Sequence, residues 1–538
     1  MRNKLIVLLL WLGSLPTALY AQQTGIKSES LEGFKIRGED VRQFRGNVQV
    51  NQPGKMLYCD LLNSFVQSKK FEAFGNVRIV QDDGSTATSD TLHFFESNQL
   101  AKLRGNVTLN DKGKILTTRS LDYHMNEGSA YYYSGGKIVD GKNTLTSTIG
   151  EYNRNSKTMI FKKKVRLVSE NYTLETDTLR YNTETKVAYF SGPTTITTAE
   201  GVLKSNKGEY DTNTETASFE GRSNVNTPEY KLTSDYSTYN KAQDRGFAKG
   251  KVVMFSKKDS ITIFGDEAIY SKNSGYSKVY GHVLMKTPAE KDTMFLTADT
   301  LLSVGSPDPK TGRAKPSKLL AYNHVRIFKS DIQAICDSLV YNFADSTIYF
   351  YQDPVLWNAG SQLTADSVWL LQKNNTPDKM YMRGNAFIIS RDSLKNFNQV
   401  KGKNMLAFFN KNQIQRINVN GNGQSIYFAL EGDTALTGMN RVNCSNMIVR
   451  FKEKNKLNNI TFLTKPDAAF IPPHELQEPE KRFKGFKWRV EERPTKKSVT
   501  GVYYTPEPEP KKQSKKTAAS SNSGKSNSKS TKTKTKKK

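Results

Sequence analysis

Apolar and polar residues alternate with period two in short runs along this chain, and the runs themselves recur about every thirty residues. The clearest copies are RGNVQV at Arg45–Val50, FGNVRI at Phe74–Ile79 and RGNVTL at Arg104–Leu109. Looser copies begin at Gly135, Lys162, Ser191, Glu220, Lys249, Tyr280, Tyr322, Gln352 and Arg383. In GNVRI, Val77 and Ile79 fall on one face and Asn76 and Arg78 on the other, which predicts a strand wet on one side and covered on the other. The equivalent pairs are Val48 with Val50, Val107 with Leu109, Val165 with Leu167, Val252 with Met254, Val283 with Met285, and Val325 with Ile327. Val355 with Trp357 and Ala386 with Ile388 continue the series. Stacked repeats turn these pairs into one long apolar stripe.

About fourteen residues further on, each unit carries an Asp followed four residues later by an aromatic ring. Examples are Asp90 with Phe94, Asp177 with Tyr181, Asp235 with Tyr239, Asp266 with Tyr270 and Asp337 with Tyr341. Other copies keep the ring and change the acid, as in Arg119 with Tyr123 and Asn206 with Tyr210. Turn signals such as Asp83-Gly84 and Asp111-Lys112-Gly113 separate the halves. The prediction is two strands per repeat, about two dozen in all, in an elongated antiparallel all-β stack. The Gly-Asn pairs are read as turn residues at strand starts. The recurring Asp is read as structural, bonded to a neighbouring turn. If about thirteen strands stack per sheet at roughly 4.8 Å, the body is about 60 Å long.

Composition narrows the picture. In 538 residues, 36% are hydrophobic, and the mean hydropathy of −0.63 fits a thin sheet structure better than a broad core. Arg2 and Lys4 precede the apolar run Leu5–Leu12, a secretory leader pattern, with cleavage expected after Ala21 or, because Leu19 is not small, after Ala18. The expected organisation is a leader at 1–21, a β-repeat region at 22–470, a Pro- and charge-rich extension at 471–510 and a Lys/Ser-rich tail at 511–538. The segment Ser306–Lys318 is read as a surface loop. Removing eleven tail lysines and two leader charges leaves +15 of the net +28 on the body, which suits an anionic partner; export argues against nucleic acid.

Catalytic patterns are missing. The five histidines are scattered, and His282 and His324 occupy the repeat position held elsewhere by Asn. Gly136–Asn143 resembles a phosphate loop but has Asn where Ser or Thr would bind magnesium, and reads as a turn. Cys59 and Cys336 each precede the Asp of their repeat, with Cys444 further on, and look like strand residues in equivalent positions, without a disulfide framework. No enzyme activity, cofactor or metal is expected.

GNVQV at Gly46, GNVRI at Gly75 with TSDTLHF at Thr88, and GNVTL at Gly105 resemble the OstA/LptA family, and the length resembles the larger OstA-like proteins of Bacteroidota-type bacteria. The resemblance implies a twisted β-jellyroll whose layers splay into an apolar groove, in the periplasm or associated with the outer membrane. It implies lipopolysaccharide as the ligand, held by the acyl chains of lipid A, with other lipopolysaccharide-transport envelope proteins and end-to-end copies of the chain as partners. The lipid-facing residues are then Val48, Val50, Val77, Ile79, Val107, Leu109, Val165, Leu167, Val252, Met254, Val283, Met285, Val325 and Ile327. On this reading Val107→Asp or Val283→Asp weakens lipid capture with the fold mostly intact. The alternation itself fits a closed core between two layers equally well, and a structural or adhesive stalk without cargo is the competing reading.

Overall fold

The computed structural model describes residues 25–503 apart from 272, 290–291, 308–313, 375, 433 and 453–456. The expected leader cleavage sites and the Lys-rich tail lie outside the described residues. The described chain is all-β: 34 strand segments join in one antiparallel sheet, with only short helical turns near the C-terminus. Each row pairs with the next in the chain, and hairpin turns connect them. Six rows are broken in two at mid-strand, for example Ser129–Tyr132 with Gly136–Asp140, so the 34 segments form 28 rows.

The sheet is folded lengthwise along a line of mid-strand corners. In Lys70–Gln81 the register to Thr86–Phe95 jumps from Phe74↔Thr91 to Val77↔Ser89, so Gly75 and Asn76 stand opposite one residue, Asp90. The same bulge recurs at Arg45/Val48, Arg104/Val107, Lys249/Val252, Tyr280/Val283 and Arg383/Ala386. The extra residue bends the strand instead of reversing it. Gly75 and Asn76 are both left-handed, with φ of 71° and 46°, as are Gly46-Asn47, Gly105-Asn106 and Gly384-Asn385. The Gly-Asn motif is thus the elbow in the middle of a long strand, and its expected place at a strand start is corrected.

The Asp at the corner of the preceding row completes the elbow. Asn76 donates to Asp60 at 2.9 Å, Asn106 to Asp90 at 3.0 Å and Asn385 to Asp366 at 3.0 Å. His282 and His324 occupy the same corner and meet Asp266 at 2.7 Å and Asp299 at 2.9 Å. At the Gly-Asn corners glycine is required because a Cβ on Gly75 or Gly105 would run into the Asp60 or Asp90 carboxylate. The repeating Asp is therefore structural, and its partner is mainly the corner side chain. One residue before the corner Asp, or before the Arg119 or Asn206 that replaces it, a small polar side chain braces the bend. Ser120 N–H points at Thr118 Oγ1 (3.4 Å) and Lys207 N–H at Ser205 Oγ (3.5 Å). Cys59 receives the Leu61 N–H in the same way, so the cysteine is a corner residue like Ser and Thr.

Every row crosses the corner, so both arms contain all 28 rows. At about 4.8 Å per row the body runs about 130 Å along the hydrogen-bond direction, twice the length expected from dividing the strands between two layers. Ser306–Lys318 also differs from expectation. Its ends pair as Gly305↔Pro316 and Pro307↔Ala314, so the insertion lengthens a hairpin.

A third layer lies on the outer face of the second arm, the one that follows the corner in the Gly-Asn strands. After Ile471 the chain turns back and runs over earlier rows to Tyr503. Gln399 and Gln362 are buried and read its backbone as another strand would. Gln399 donates to Lys481 O (2.8 Å) and accepts from Phe483 N (3.0 Å), and Gln362 donates to Lys487 O (2.7 Å) and accepts from Arg489 N (2.7 Å). Phe483 is packed with Phe387, Ile389, Ile426, Phe428 and Met439, and Val499 with Leu284 and Phe295. The fading of the repeat after 471 marks the last strand, not the end of the packed body. Trp357 belongs to this outer face too. It pairs with Gln333 and Gln362, while its neighbour Leu356 enters the inner core, so its expected place on the inner stripe is corrected by one residue.

Candidate functional site

The inner faces of the two arms meet in shared apolar clusters. On the second arm, an aliphatic ladder runs in register from Ile26 through Val50, Leu57 and Ile79 to Ile388 and Val400. It crosses twenty-five consecutive rows, about 120 Å, without a polar residue. It ends where Val400 faces Ser425. Such continuity follows from parity: every row places the residue two beyond the corner valine, or three before the corner Asp, on this line.

The opposite arm carries an aromatic ladder. Phe94, Tyr123, Tyr152, Tyr181, Tyr210, Tyr239 and Tyr270 recur on every second row, and between most of them stand Ala101, Ala130, Ala188, Ala217 and Gly246. These are the rings of the Asp-x-x-x-aromatic motif. A ring leans over its small neighbour: a Cβ on Gly246 would enter the Tyr270 ring. Burial raises the phenol pKa of Tyr123, Tyr152, Tyr181 and Tyr210. Tyr239 rises to about 12 through burial and its bond to Asp244, and Tyr270 rises further through burial. The inner space is thus a low-dielectric environment.

The sequence-predicted residues fall in two lines. Val48, Val77, Val107, Val165, Val252, Val283 and Val325 flank the corner, at the bottom of the fold, each 1–2% exposed. Val50, Leu109, Leu167, Met285 and Ile327 lie on the aliphatic ladder and are buried, while Ile79 and Met254 on the same ladder are half-buried. Buried Val107 and Val283 cannot take a carboxylate without loss of stability, so the expectation that Asp there spares the fold is corrected. Sequence reasoning missed the ladder members on the Asp strands, among them Leu57, Leu116, Leu203, Leu232 and Ile263. The signal was present as an aliphatic residue three before the corner position, as in Leu57 with Asp60 and Ile263 with Asp266.

The ladders are not equally covered along the body. Where Leu116, Leu121, Ile138, Tyr152 and Met159 meet, side chains fill the fold and leave about 10 Å³, too little for an acyl chain. Between Ile196 and Ile263 the arrangement changes. Ile196, Leu203, Val225, Met254 and Ile263 are half-buried, as are Tyr210, Tyr239 and Tyr270 opposite. The bottom of this stretch carries small hydroxyls, Thr194, Ser205, Ser223, Ser234 and Ser237, in place of valines. Ile26, Leu57 and Ile79 form a second half-open stretch at the first rows. Among the described residues no three His, Cys, Asp or Glu side chains group as metal ligands, and no helix is long and apolar enough to cross a membrane.

A folded, antiparallel β-stack lined by two apolar ladders is the class that these features define. Residues 26–177 and 165–235 match the OstA-like protein family. A comparison with curated proteins gives no match. Among solved structures, the chain is similar to LptH, the LptA-homologous periplasmic component of the lipopolysaccharide transport device of Pseudomonas aeruginosa, at 11% identity over 32% of this chain and 82% of that one, with a TM-score of 0.09. It is also similar to the extracellular domain of BT4673 of B. thetaiotaomicron, described as a one-component system, at 9% identity over 82% of this chain and 91% of that one, with a TM-score of 0.10. Superpositions at that level carry no weight here.

Proposed function

We propose that this protein binds lipopolysaccharide by the acyl chains of lipid A and conveys it across the periplasm toward the outer membrane, without catalysis. The observation that carries the reading is the unbroken aliphatic ladder, faced by tyrosine rings and half-open between Ile196 and Ile263. At about 0.8 kcal/mol per methylene, an acyl chain of a dozen carbons costs on the order of 10 kcal/mol in water, and an apolar lining removes that cost. A ladder with no polar rung offers no position at which a sliding chain must cross a polar barrier. The OstA-like match of the first repeats supports the same class of cargo. Exposed apolar residues on both end rows, Leu31 at 59% and Phe470 at 60%, suit contact with other envelope proteins or a second copy.

The competing reading is a stalk without cargo, favoured by the sealed rows around Leu116 and Ile138. Photo-crosslinking amino acids at Leu203 and Ile263 separate the two. Lipopolysaccharide adducts in cells at these positions, and none at sealed Leu116, are expected. Their absence at both half-open positions, with the protein exported and folded, rejects the carrier.

A further inference from the structure

The C-terminal layer covers only part of the body, and its extent matches a change in the ladders. It starts at Arg441, whose guanidinium donates to Glu480 O at 3.1 Å, and passes Gln399 and Gln362. Arg489 then pairs with Asp353 at 2.7 Å, and Arg493 donates to Gln333 at 2.7 Å. The layer ends with the Tyr503 ring 4.9 Å from that of Phe264. From the strand Thr262–Ser271 to Ala435–Phe451 the second arm is therefore covered on both faces; earlier rows have no such layer among the described residues. Eight of the nine half-buried ladder positions, Ile26 to Ile263, lie on rows up to the one where this layer ends, and Val400 is the ninth.

We propose that residues 473–503 act as a brace that ties the rows of the second arm into one plate and confines opening of the groove to the rows up to Thr262–Ser271, where the layer ends. This deepens the carrier reading and rests on it for its functional meaning. An unbraced arm parts from its partner a few rows at a time, because each row is held only by its two neighbours. In the braced part, parting any row drags the layer that spans the rest. The carboxamides of Gln362 and Gln399 are fully buried and each bonds a carbonyl and an N–H two residues apart, so release breaks four buried hydrogen bonds. The brace thereby divides one continuous ladder into an openable entrance half and a closed stem.

Hydrogen exchange of the full chain tests this without lipid. In the native protein, amides of 386–391 and 397–402 are expected to exchange more slowly than those of 194–198 and 201–205. The double variant Gln362→Leu, Gln399→Leu is expected to speed exchange in the braced strands by at least about tenfold and leave 194–205 unchanged. Should that variant not fold, Gln399→Leu alone gives the same reading at smaller amplitude. Freed amides at 481–489 with unchanged exchange at 386–402 overturn the brace, as does equal acceleration along the whole body. Crosslinkers at Leu203 and Leu356 then connect it to cargo. Adducts are expected at Leu203 in both proteins and at Leu356 only in the variant; adducts at Leu356 in the native protein reject the confinement. Failure at both positions in both proteins rejects the carrier reading and leaves the exchange result to decide the brace.

Discussion

Replacing Gly105 by alanine probes the corner that gives the sheet its fold. Two costs are expected. An alanine at φ of 69° sits in the left-handed region, at about 1 kcal/mol or more. Its Cβ also meets the Asp90 carboxylate, which must swing away and give up its bonds to Asn106 at 3.0 and 3.2 Å, worth together about 1 kcal/mol at an exposed site. Gly113, at φ of 89° with nothing within 4 Å, carries the first cost alone. Gly105→Ala should therefore cost about 2–3 kcal/mol and Gly113→Ala about 1. Asp90→Ala should cost about 1 by itself, and combining it with Gly105→Ala should give about 2, below the sum, because the obstacle has gone. A long repeat stack has no single unfolding free energy, so the quantity to measure is the local opening free energy from native-state exchange of Leu100–Asp111. Equal costs at Gly105 and Gly113, or strict additivity in the double variant, refute the corner clamp.

Two further outcomes follow. Burial raises the phenols of Tyr132 and Tyr172 to about 12, so the folded state holds these protons more tightly than the unfolded chain, whose tyrosines titrate near 10. Their contribution to stability is complete below pH 10 and is lost as pH rises to about 12; a phenolate absorbance titration in which all 25 tyrosines ionise with a midpoint near 10 contradicts it. Cys59→Ser should stay within about 1 kcal/mol of the native protein, since serine and threonine hold the same corner elsewhere, whereas Cys59→Val should cost more. Thermal unfolding that ranks valine above serine would show that the cysteine serves packing alone.

The period, the all-β class and half of the aliphatic ladder were legible because strand parity writes them directly: Val77 and Ile79 share a face whatever lies before them. The elbow was not legible, because Gly-Asn reads as a chain reversal, and only pairing shows that Gly75-Asn76 bends a strand that continues as Val77–Gln81. Body length was halved for the same reason, since a strand that crosses the corner counts in both arms. The outer layer left a trace that alternation hides. Ala386–Ile389 is buried at four consecutive positions, and Val355–Asn358 likewise, the mark of a strand covered on both faces. The line between sealed and half-open rows was not readable, because Leu203 and Leu116 are the same residue at the same repeat position and differ only in what stands across from them.

Because every row pairs with the one made just before it, the body needs no distant partner to begin folding, and rows can be added in the order in which the chain is made. Each repeat contributes two rows, about 10 Å, while the cross-section stays the same. Reach is thus written in the number of repeats. Duplicating or losing one would lengthen or shorten the body in fixed steps of two rows without redesigning any contact.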